Sequence, residues 1–141
     1  MSGIQKLCIA AGVCGVLVLA GCGKSNEPHF VPVSGSVTLD GQPVHGARIE
    51  FLPDAGKGTD GPASFAELDE GGDYVLESVG GKQGALVGHH KVTIKCPEPS
   101  SAGPVPECHV PAHYANAATS ELTAQVTDEP DQTIDFALKS K

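Results

Sequence analysis

The sequence predicts an all-β domain, an antiparallel β-sandwich of about seven strands, preceded by a signal peptide. Three observations carry this. Apolar and polar residues alternate with period two in several short runs, as half-buried strands require. Eighteen Gly and eleven Pro in 141 residues punctuate those runs with turns. After the apolar leader, no segment shows the 3.6-residue apolar spacing of an amphipathic helix.

The strands follow in order. Val33, Gly35, Val37 and Leu39 share one face, and Ser34, Ser36 and Thr38 the other. Asp40-Gly41-Gln42-Pro43 is a turn. Ala47, Ile49 and Phe51 then point inward, with Arg48 and Glu50 outward. Residues 54–63 read as a glycine-rich loop and 65–68 as a short strand. Asp69-Glu70-Gly71-Gly72 turns the chain into a returning strand over 73–79, paired with 65–68 as a hairpin. After a turn at 80–84, residues 87–96 form the longest strand, with His90, Val92, Ile94 and Cys96 on one side. Pro97 to Pro111 holds five prolines and cannot be a central strand. Leu122, Ala124 and Val126 alternate, as do Ile134, Phe136 and Leu138, with Asp128-Glu129-Pro130-Asp131 as the hairpin turn between them.

Ahead of these strands, residues 1–6 carry one cation, Lys6, and Leu7 to Ala20 are apolar and uncharged. That is the layout of a secretory signal. The run is short of the roughly 20 apolar residues that a spanning helix needs. It ends in Leu19-Ala20-Gly21-Cys22, which resembles the bacterial lipobox. The resemblance implies a lipoprotein signal peptide over 1–21, cut before Cys22, whose sulfur takes the lipid. A single acyl chain holds a protein to a bilayer only marginally, so two or more chains are expected. Cys8 and Cys14 leave with the signal. Residues 22–32 read as a flexible tether with no periodicity, and 33–141 as the folded domain. The expected location is the cell envelope, lipid-anchored, on the periplasmic or outer-membrane face.

Removing residues 1–21 takes away Lys6 alone, leaving 8 basic against 17 acidic residues, net −9. Such a chain is repelled by phosphate backbones, so nucleic acid is excluded as a partner. The remaining 120 residues suffice for one domain that buries about two-thirds of its unfolded surface. With no Trp and few aromatics, its core must come mostly from Val, Ile and Leu.

Several motifs together resemble a known family. Val33-x-Gly35-x-Val37-Thr38-Leu39-Asp40-Gly41-x-Pro43-Val44-x-Gly46-Ala47 is similar to the opening hairpin of carboxypeptidase regulatory-like domains, and Gly72-Asp73-Tyr74-Val75-Leu76 to their G-x-Y-x-L strand. Val110-Pro111-Ala112-x-Tyr114, Thr119-Ser120-x-Leu122 and Ile134-Asp135-Phe136-x-Leu138 resemble a narrower group, the small lipoproteins abundant in planctomycete bacteria. The resemblance implies a transthyretin-like, Greek-key order of strands and a non-catalytic module. The chain departs from the family at His90, where an aromatic is usual, and at His113, where lysine is common.

Candidate chemistry is sparse. With Cys22 assigned to lipid, Cys96 and Cys108 are left flanking the proline-rich loop. In an oxidising compartment they can form a disulfide; the alternative is two free thiols with Cys96 buried. The spacing Cys108-His109-x-x-x-His113 occurs in zinc sites, and His89-His90 adds nitrogens. A disulfide would remove the thiolate, however, and adjacent strand residues face opposite ways. His89, His109 and His113 therefore stand as a secondary metal or small-ligand reading. His90 is expected as a hydrogen-bonded histidine at the core edge. Asp69, Glu70 and Asp73 look like part of a calcium loop, but a turn in which Asp69 bonds its own backbone explains them more simply. No Gly-x-Ser-x-Gly, His-Glu-x-x-His or phosphate loop is present. Ser120 and His113 lack a third group. No motif calls for a cofactor or catalysis. The expected function is a structural or interaction module, its partner an envelope protein or glycan.

Overall fold

The computed structural model describes residues 27–141; the expected signal peptide and Cys22 lie outside them. Among the described residues there are twelve strands and two short 3-10 helices, and no helix long and apolar enough to cross a membrane. Five strands form one antiparallel sheet in the order β10(Thr123–Val126), β9(Gly88–Lys95), β4(Arg48–Pro53), β5(Ser64–Glu67), β7(Glu77–Ser78). A second sheet is centred on β2(Val33–Leu39). On one edge β2 pairs antiparallel with β6(Asp73–Val75) and with β3(Gln42–Pro43); on the other it pairs parallel with β11(Gln132–Thr133) and β12(Phe136–Leu138). A third, two-stranded piece joins β1(Phe30–Val31) to β8(Ala85–Leu86).

Alternation places the core as the sequence expects. Val33 and Val37 from β2, Ile49 and Phe51 from β4, Val92 and Ile94 from β9 and Leu138 from β12 are all buried in one cluster. Phe51 bridges the two larger sheets, with its ring centroid 6.3 Å from Tyr74 and 6.0 Å edge-on to Phe136. The turn after β2 has positive φ at both central residues, Asp40 (49°) and Gly41 (83°). That is the two-residue hairpin geometry whose twist matches the strands. Asp69 accepts the amides of Gly71 and Asp73, each at 2.9 Å, so its carboxylate closes a turn.

Four expectations need correction. Residues 73–79 do not form one hairpin strand. The chain pairs with β2 as far as Val75, passes Leu76, and then pairs with β5 through Glu77 and Ser78. The cause is Tyr74. Its hydroxyl crosses Gly35 to donate to the Ile134 carbonyl on the far side of β2. A Cβ on Gly35 would lie 1.9 Å from that carbonyl oxygen. The 128–131 turn is likewise no hairpin, because β10 pairs with β9 and β12 with β2. That crossing between sheets makes the β2–β12 pairing parallel, so the fold is not wholly antiparallel. The fourth correction is the tether. Val31, expected outside the domain, is buried. Val87 and Gln132 donate their amides to the His29 and Pro32 carbonyls, so the folded unit begins about residue 29.

Register and short connections give the molecule two ends. Val33, Pro53, Ser64, Gly88 and Val126 stand at one, with residues 54–63, 79–84 and 127–131 beyond them. Leu39, Arg48, Glu67, Lys95 and Leu138 stand at the other, with the proline-rich loop beyond.

Candidate functional site

Cys96 follows the last residue of β9, where the chain must leave the sheet because Pro97 has no amide to continue the ladder. It is bonded to Cys108, with the Cα atoms 5.6 Å apart, which closes the proline-rich loop. Beyond Cys108 the chain enters the 3-10 turn Ala112–Ala115. Its Tyr114 is buried; the hydroxyl donates to the Lys139 carbonyl and accepts the Lys139 amide at 3.0 Å. These anchors leave a concavity of about 590 Å³ between the returning segment and the β4–β5–β9 surface, walled by Cys96, Pro97, Val110 and Ala112 and rimmed by Arg48, Glu67, Lys95 and Glu98.

The rim is built by cross-strand pairing. Arg48 lies opposite Lys95 on β9 and Glu67 on β5. Lys95 Nζ is 2.9 Å from Glu50 Oε1, Arg48 Nε 3.1 Å from the same oxygen, and Arg48 Nη1 3.8 Å from Glu67 Oε1. The Nε–H does not point along its contact, which is therefore charge pairing without a hydrogen bond. The guanidinium stacks 4.0 Å above the Phe65 ring, a favourable cation–π arrangement. Chemically the cleft offers an apolar wall and a charged rim whose Arg48 and Lys95 are paired with Glu50 and Glu67. Its cysteines are oxidised, so they supply neither a nucleophile nor a metal ligand.

The histidines are distributed over both ends. At one, His89 donates its amide to Thr59 Oγ1 at 2.7 Å, and its carbonyl accepts the Asp54 amide at 2.9 Å. At the other, His109 Nε2 lies 3.8 Å from Glu107 Oε1 beside a small hollow of about 160 Å³ shared with His45. The His113 ring packs against Tyr114 with centroids 3.9 Å apart. No group of three or more His, Cys, Asp or Glu side chains converges as a metal site among the described residues, so His89, His109 and His113 are not brought together. Ser120 is buried and donates to the Val92 carbonyl, so it is not free to pair with His113.

His90 is buried with only 1 % exposure. Its Nε2 is 2.7 Å from the Leu86 carbonyl. A carbonyl only accepts, so this nitrogen carries the proton, and Nδ1 is left with no partner. Desolvation holds the imidazole below its ordinary pKa.

The sequence pointed to the cysteine pair and the outward Arg48 and Glu50, but not to the cleft. Three of its charges, Arg48, Glu67 and Lys95, lie on three strands that only the register joins. Compared with protein-family models, curated proteins and solved structures, the chain matches none.

Proposed function

We propose that this protein is a lipid-anchored, non-catalytic lipoprotein of the cell envelope, a carboxypeptidase regulatory-like module with transthyretin-like, Greek-key strand order that serves as a structural or interaction unit. The observation that carries the reading is Leu19-Ala20-Gly21-Cys22 at the end of an uncharged apolar run. The Cys96–Cys108 bond supports it, because disulfides persist in exported compartments and are rare in the cytosol. An interaction role is favoured over catalysis because the cleft's cations, Arg48 and Lys95, are already held by Glu50 and Glu67. The partner is an envelope protein or glycan rather than nucleic acid, which the net charge of −8 for the whole chain disfavours.

Growth with a labelled fatty acid tests the anchor. The protein should take up label, and Cys22→Ala should abolish both labelling and membrane retention. Label retained by Cys22→Ala overturns the assignment.

A further inference from the structure

We infer that the domain stands on the bilayer by the end where β2 begins and holds its disulfide-closed loop and cleft outward. This rests on the Cys22 anchor proposed above and gives that anchor a direction. Phe30 is eight residues from Cys22, so it can lie at most about 28 Å from the lipid.

The exit point is fixed. His29 Nδ1 contacts Asp128 Oδ1 at 2.9 Å, and β1 is held by β8. A Cβ on Gly84 would lie 1.8 Å from the Val31 carbonyl oxygen, so glycine there permits the close approach of β1. Chain leaving His29 therefore starts at the end that carries residues 54–63, 79–84 and 127–131. The opposite end lies a full strand away. Gly88 to Lys95 of β9 spans about 24 Å, and the proline-rich loop projects beyond.

The surface at the exit suits a lipid interface. Val79 is 68 % exposed. Beside it, Lys82 Nζ lies 5.4 Å above the Phe30 ring, an apolar body with a cationic tip. Asp60, Asp128, Glu129 and Asp131 share this end, so attraction to anionic headgroups does not orient it. The covalent link does. Any partner of the cleft then approaches from the side away from the membrane.

The test uses the full lipidated chain in phosphatidylcholine vesicles that carry an acceptor dye on the headgroup. A donor dye is placed on Val79→Cys or on Ala102→Cys, with Lys57→Cys and Glu70→Cys as a second pair from the same two ends. Peptide mapping confirms the Cys96–Cys108 bond in each. Energy transfer from positions 79 and 57 should exceed that from 102 and 70 by roughly twofold or more, as a strand's length of separation requires, and should persist in high salt. Equal or reversed transfer from a chain that floats with the vesicles overturns the orientation alone. A chain that does not float overturns the anchor and the orientation together.

Discussion

At the residue scale, His90 shows what alternation reveals and what it hides. Its inward place on β9 follows from period two, and so does the expectation of a hydrogen bond. The unpartnered Nδ1 does not, because it depends on the tautomer that Leu86 selects and on Phe51, whose ring centroid is 5.7 Å away. The consequence is a pH dependence with a definite sign. In the unfolded chain His90 binds a proton near its ordinary pKa of about 6.5, whereas the folded site resists it. Below that pH the unfolded state binds more protons, so stability is full above about pH 6.5 and falls as pH drops below it, by up to about 1.4 kcal/mol per pH unit from this one group. Neighbouring His89 opposes the charge as well. Urea midpoints at neutral and acidic pH should separate in the wild type and converge in His90→Leu; an equal acid shift in both would remove His90 as the cause.

At the element scale, strand positions were legible and strand partners were not. Seven expected strands correspond to β2, β4, β5, β6 with β7, β9, β10 and β11 with β12, because alternation is local. Pairing is set by contacts distant in sequence, such as Tyr74 reaching Ile134 across Gly35. The cleft was hidden for the same reason: Arg48, Glu67 and Lys95 meet only once β4, β5 and β9 are in register. The proline-rich loop is the opposite case, since two cysteines flanking four prolines specify it by themselves. Its closure also sets a magnitude. Joining residues 12 apart removes unfolded-state freedom worth about 3 kcal/mol in the chain-entropy model. Replacing both cysteines by serine should therefore lower unfolding stability by about that amount, read from denaturant midpoints, and alkylation of the denatured, unreduced wild type should find neither thiol. Labelling of both would mean that the bond does not form.

At the scale of the whole molecule, the question is where the folded unit begins. Composition placed the boundary at Val33, since Gly23 to Pro32 is polar with two prolines and no period. Two strand residues are too few to show periodicity, so β1 could not be read from sequence. Yet Val31 is 5 % exposed within the shared core, and β1 supplies the partner of β8. The residues on either side of it satisfy Val87 and Gln132, whose amides donate to the His29 and Pro32 carbonyls at 2.9 and 3.0 Å. A chain shortened to begin at Val33 would lose the Val31 side chain and leave β8, Val87 and Gln132 without those partners. Burial of one Val side chain is worth about 1.5–3 kcal/mol and each hydrogen bond about 1. The shortened chain should thus be less stable than one beginning at Glu27 by about 3 kcal/mol or more, measured as a shift in urea midpoint at unchanged slope. Coincident unfolding curves would return residues 27–32 to the tether. They would also release the exit point that orients the domain, because a chain free to leave at Val33 has no fixed contact with Asp128 or β8.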